Sequence, residues 1–197
     1  MRKSLAFLIS RILGPLPLLC LLWFVTAVKS GIGFWKALLV YPLIFLVGIA
    51  IPTAISLLIM RAKKIDFEWT NIKDRYLLIP IYIPFWIVDL FLVWKLTNQT
   101  VFHLSLLMTA GIISGIISYT VFRFKISAHM MIASGVFWGV NFMTHNNYLW
   151  LFVFLLPLYW ARLVLKQHTK VELIAGLIVS NGIMAIAIFL FGWPKVP

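Results

Sequence analysis

Residues Ala37 to Met60 read ALLVYPLIFLVGIAIPTAISLLIM, twenty-four positions without a charge. At about 1.5 Å of rise per residue, a helix of that length exceeds the roughly 30 Å hydrocarbon core of a bilayer. The apolar residues run continuously instead of alternating, so a barrel strand is excluded and the backbone must bond to itself within a helix. Six further runs share this character: Leu5 to Val28, Tyr76 to Trp94, Val101 to Phe122, Ile126 to Met143, Tyr148 to Leu165 and Leu173 to Trp193. The expected fold is all-α, a polytopic integral membrane helical bundle of about six to seven transmembrane helices. Two runs set that range. The first contains Arg11, Pro15 and Pro17, and the uncharged part of the sixth, Tyr148 to Ala161, suits a re-entrant segment unless Arg162 snorkels from its end.

The whole chain agrees. Of its 197 residues 63% are hydrophobic and 11% are charged, against about 25% charged in soluble domains, which excludes a soluble fold. The one cysteine, Cys20, excludes a disulfide scaffold, and no fixed-period repeat is present. A single transmembrane domain over residues 1–197 is expected, with Arg61 to Arg75 as a juxtamembrane loop. Arg2 and Lys3 precede an apolar run as in a signal peptide, but no small-residue cleavage site follows, so the segment is read as retained. Gly111/Gly115 and Gly135/Gly139 form small-xxx-small pairs, read as packing within one bundle and not as a dimer interface.

Seventeen Lys and Arg against five Asp and Glu give a net charge of +12, which suits anionic head groups or an anionic leaflet. The basic residues lie between apolar spans and form no single stripe with exposed aromatics, so nucleic acid is not the expected partner. With helices reversing in turn, Arg2, Lys3, Arg61, Lys63, Lys64, Lys73, Arg75, Arg123, Lys125, Arg162, Lys166 and Lys170 share one face, while Lys29, Lys36, Lys95 and Lys195 lie on the other. The positive-inside rule puts the crowded face in the cytoplasm.

Three separated segments of that face carry groups that bind phosphate: Lys63/Lys64 to Arg75, Lys125-Ile126-Ser127-Ala128-His129, and Arg162 through His168 to Glu172. Arg offers a planar fork to phosphate oxygens, Lys a point charge, and a Ser at a helix start further donors. Two histidines serve as nucleophile and proton donor. Each segment also has a plain reading as a solvated or positive-inside charge cluster.

These residues resemble the type 2 phosphatidic acid phosphatase superfamily of lipid phosphatases, bacterial acid phosphatases and vanadium haloperoxidases. Its third motif, S-R-x5-H-x3-D, is similar to Ala161-Arg162, five residues, His168, three residues, Glu172; its second, P-S-G-H, to Ile126-Ser127-Ala128-His129. The first, K-x6-R-P, departs most, since Tyr76 follows Arg75 and ten residues separate Lys64 from Arg75. The resemblance covers Lys63 to Glu172 and sets a catalytic core of about residues 61–193. It implies His168 as the nucleophile, Glu172 as the group that orients its ring, His129 as the general acid, and Arg75, Arg162 and Ser127 as phosphate ligands, with Lys64 and Lys125 as equal candidates for the remaining cation. It implies no metal and no cofactor. His168 and Glu172, four apart, are expected on one helix face.

Outside this set, His103 and His145 have no carboxylate or cysteine at ligand spacing and are read as interfacial. Asp89, a carboxylate inside the third span, is a functional candidate by default, with a structural role bonded to Asn141, Asn181 or a Ser preferred. The expected function is a membrane lipid phosphatase acting on a phosphomonoester or diphosphate of a lipid, such as a polyprenyl phosphate or phosphatidate, through a phosphohistidine. A non-catalytic descendant that binds or moves lipids, and a small transporter or channel using Asp89, are the alternatives.

Overall fold

The computed structural model describes residues 2–65, 72–120, 122 and 124–191, and all regular structure among them is helical. The chain is an all-α helical bundle. It divides into two compact units, one of Met1–Gly31 with Leu106–Pro197, the other of Ile32–Ser105.

In the first unit, α1 (Arg2–Ile12) and α2 (Pro15–Lys29) come from one apolar stretch broken at Gly14. Pro15 lacks an N–H and its ring fixes φ, so it suits the first position of a new helix but not the interior of an old one. The break separates the partners: α1 packs on α8 (Leu155–Val164), whereas α2 packs on α7 (Ala128–Met143). Helix α7 is the core of this unit, with Met130, Ala133, Val136, Phe137, Val140 and Met143 buried, and α9 (Lys170–Phe191) packs along it.

Small residues set those distances. A Cβ on Gly135 of α7 would stand 3.4 Å from the Ser180 hydroxyl of α9, and one on Gly115 of α6 (Gln99–Thr120) 3.4 Å from Met131. The small-xxx-small glycines thus serve packing within the chain. Asn181 ties the same helices, accepting from Trp138 Nε1 at 2.7 Å and donating to Ser134 Oγ at 3.3 Å.

In the second unit, α3 (Phe34–Phe45) passes through a π-helical turn, Leu46–Ala50, into α4 (Ile51–Lys63). Gly33, at φ +86°, starts α3 in a conformation that L side chains resist. Pro52 supplies a reason for the π turn: it has no N–H for the Gly48 carbonyl and its ring crowds that oxygen, so the turn widens. The carboxyl of Asp89, on α5 (Ile72–Leu96), packs directly on Gly48, where a Cβ would come within 2.6 Å of Oδ1. Asn141 donates to the Phe137 carbonyl and accepts from the Tyr148 N–H, Asn181 is engaged as above, and Asp89 Oδ1 is buried with no hydrogen-bond partner among the described residues.

Among the described residues, five helical stretches are long and apolar enough to cross a membrane: Arg2–Lys29, Phe34–Lys63, Ile79–Leu96, Gln99–Ser118 and Lys170–Phe189. The other two expected spans are shorter. Helix α7 has 16 residues and ends in a turn where His145 and Asn146 take φ of +55° and +64°. Leu149–Val164 is a short apolar helix that begins as a 3-10 turn, Leu149–Phe154.

Candidate active site

The segment from Arg162 to Glu172 folds as a helix end, a turn and a helix start. Helix α8 closes with the Gln167 N–H on the Arg162 carbonyl (3.2 Å) and the Lys166 N–H on the Leu163 carbonyl (3.0 Å), while Lys166 sits at φ +55°. This is a Schellman closure, here with a lysine at the left-handed position. Two residues later α9 begins with a capping box: Thr169 Oγ1 accepts from the Glu172 N–H at 3.3 Å, and Glu172 Oε2 accepts from the Thr169 N–H at 2.8 Å. The fixed lengths of these two devices set the spacing from Arg162 through His168 to Glu172.

His168 therefore precedes α9 and does not share a helix face with Glu172, which corrects the expectation from their spacing. Glu172 instead reaches back from the first turn, and its Oε2 lies 3.1 Å from His168 Nδ1. A carboxylate accepts only, so Nδ1 carries the hydrogen and Nε2 keeps its lone pair. Only 5% of the His168 side chain is exposed. Burial first, and then the Lys125 and Arg162 charges, lower its pKa to about 4 against the opposing pull of Glu172. The ring is neutral at pH 7 and has a nucleophilic nitrogen.

Ser127 is the N-cap of α7. Its hydroxyl accepts from the Met130 N–H at 3.5 Å and its own N–H donates to the Glu172 carbonyl at 3.0 Å. That second bond fastens the start of α7 to the start of α9, and Gly176 makes it possible: a Cβ there would lie 2.7 Å from the Ser127 carbonyl oxygen. His129 follows in the first turn of α7 and shares its electrostatic surroundings with Arg162, His168 and Arg11. Lys125 Nζ donates to the Gln167 carbonyl at 3.2 Å, which draws it to the turn that carries His168.

Arg162 is 2% exposed and donates from Nη1 to Ser10 Oγ at 3.0 Å. Sequence reading missed Ser10, because nothing in a residue 152 positions away signals the contact. It also missed Thr169, although T-x-x-E before an apolar run is the capping-box signature.

The six residues Lys125, Ser127, His129, Arg162, His168 and Glu172 thus belong to one neighbourhood of two cations, two imidazoles, one hydroxyl and one carboxylate. Lys64 lies in the other unit, exposed, and closes α4 at φ +54°. Arg75 lies within α5, and its side chain is outside the described residues. Among the described residues no three His, Cys, Asp or Glu side chains group as metal ligands. No protein-family model matches the chain, and no curated protein and no solved structure matches it either.

Proposed function

We propose that the protein is a membrane phosphatase that hydrolyses a phosphomonoester or diphosphate of a lipid through a phosphohistidine on His168. The observation that carries this reading is the buried, neutral His168, with Nδ1 held by Glu172 and the Arg162 and Lys125 charges close by. A neutral imidazole among cations is poised to attack a bound anion.

In this mechanism Arg162, Lys125 and the Ser127 hydroxyl hold the phosphoryl oxygens. His168 Nε2 bonds to phosphorus as the bond to the leaving oxygen breaks. The dianion offsets the surrounding positive charge, so that His129 takes up a proton and passes it to the leaving oxygen. His129, now neutral, removes a proton from water as that water attacks phosphorus. The P–N bond breaks, inorganic phosphate leaves, and His168 is neutral again. Glu172 stabilises the charge that the ring carries between the two steps.

A substrate presented from the bilayer suits a chain with several apolar stretches of membrane-crossing length. The charge asymmetry favours a site on the cytoplasmic side. A phosphate-release screen of the detergent-purified protein over phosphatidate, polyprenyl phosphate and polyprenyl diphosphate tests the reading. Turnover that persists in chelator and is inhibited by vanadate supports it; a requirement for added divalent metal contradicts it.

One observation favours a second reading, in which the protein moves an ion or solute: the buried Asp89 oxygen without a partner among the described residues. Loss of flux in Asp89→Asn, with His168→Ala silent, would carry that reading.

A further inference from the structure

Helix α1 has two faces of different character. Ala6 and Ser10, one turn apart, are buried, and Ser10 takes its hydrogen bond from the buried Arg162. Leu5, Phe7, Leu8 and Ile12 are exposed at 50% or more, and Arg11 is exposed beside them. Arg11 stands nine residues after Arg2 in a stretch of membrane-crossing length, where an arginine is costly and seldom lacks a task. Its guanidinium leans back one turn over the Phe7 ring, 4.9 Å from the centroid, as a side chain does when its charged head seeks the head-group level.

Ser10 and Arg11 are consecutive, so the residue that holds Arg162 and the exposed guanidinium are carried by the same turn. In an apolar stretch, an exposed face is one that lipid meets. The charge of Arg11 also reaches His129, so the lipid-side cation and the interior of the site belong to one electrostatic region.

We propose that α1 is the lipid-side wall of the phosphate site, where Ser10 positions Arg162 and Arg11 binds the phosphate of a lipid arriving from the bilayer. This rests on the phosphatase reading and adds to it a route and a selectivity. Arg11 takes the phosphomonoester anion of a substrate whose tail remains among Leu5, Phe7 and Leu8, whereas a small soluble ester enters without that guidance. Ser10 is a positioning residue: it touches Arg162, holding the fork in place until phosphate oxygens take over its donors.

The experiment uses the full chain in detergent, with phosphatidate in mixed micelles and an aryl phosphate as the two substrates. Arg11→Gln is expected to raise KM for phosphatidate at least about tenfold more than KM for the aryl ester, and Arg11→Lys to recover most of the difference. Ser10→Ala is expected to lower kcat on both substrates to a similar extent while changing the KM ratio less than twofold, as misplacement of Arg162 requires. Equal effects of Arg11→Gln on the two substrates, or none on phosphatidate, would overturn the proposal.

If the wild-type chain releases phosphate from neither substrate, it is the phosphatase reading that has failed, and modification of Arg11 by phenylglyoxal then decides the lipid site. Slower modification in phosphatidate micelles than in phosphatidylcholine micelles supports the site, and equal rates overturn it.

Discussion

In the unit of residues 1–31 and 106–197, polar side chains reach from helix to helix: the buried Arg162 to Ser10, the exposed Asn181 to the buried Ser134, and the half-buried Lys125 to the turn before α9. In the unit of residues 32–105, Ser56 Oγ and Asp89 Oδ1 are buried without a hydrogen-bond partner among the described residues. Both units place polar atoms among apolar helices, where an unsatisfied group costs about 1–3 kcal/mol. The contrast separates two uses of polarity. Bonded groups have a fixed geometry and are able to act together on a ligand; the Asp89 Oδ1, without a hydrogen-bond partner among the described residues, has none to fix it. The candidate site accordingly lies where the network is.

The largest expected effect comes from acid. The fold lowers the His168 pKa from 6.5 to about 4, so the folded chain binds fewer protons than the unfolded chain between those values. The stability contributed by neutral His168 is complete above pH 6.5 and is lost as pH falls towards 4. Turnover limited by this ring should hold at pH 5.5, fall to about half near pH 4 and vanish only below that. An acid limb centred on pH 6.5 would mean that burial and the neighbouring cations do not set this ring's charge.

Gly176→Ala comes next. Its new methyl group meets a backbone oxygen at 2.7 Å, and a backbone cannot rotate away. A loss of about 1–3 kcal/mol in thermal or denaturant unfolding is expected, with reduced turnover because Ser127 shifts. Unchanged stability would show that the two helix starts are not in contact. Thr169→Ala should cost about 1 kcal/mol of helix capping and lower kcat more than it raises KM, since the Glu172 N–H loses its acceptor and the helix start that aims the carboxylate at His168 is loosened.

The smallest effects are expected in the other unit. Gly48→Ala collides with a side-chain end instead of backbone, so it should cost about 1 kcal/mol and do so less in an Asp89→Ala background, the coupling being read by a double-mutant cycle. Equal costs in both backgrounds would remove the contact.

Much of the fold is legible in the sequence, because membrane-crossing length and continuous apolarity are local properties. The stretch around Ala37 to Met60 is one helical passage, and the first span, whose Pro15 and Pro17 stand out in the sequence, is interrupted at Gly14 just before them. The shortness of α7 is less legible: its residues are as apolar as a lipid-facing span, but they are buried against α2 and α9. Within the site, the spacing from Arg162 to Glu172 is readable because it is the length of two local backbone devices. Spacing alone misplaces His168, since four residues mean one helix face only when both residues are in the helix. Ser10 and Arg11 are illegible for another reason: their relation to Arg162 and His129 exists only through the packing of α1 on α8.

The most direct measurement is phosphate release from a lipid phosphate by wild type and His168→Ala, purified in detergent and matched in elution profile. Substrate loss is followed alongside an acid-labile, base-stable phosphoryl group on the protein. Release and a trapped phosphoryl group are expected in wild type, and neither in His168→Ala, whose fold is intact. Wild-type turnover by His168→Ala would contradict the phosphohistidine mechanism, as would a phosphoryl group that remains on that variant.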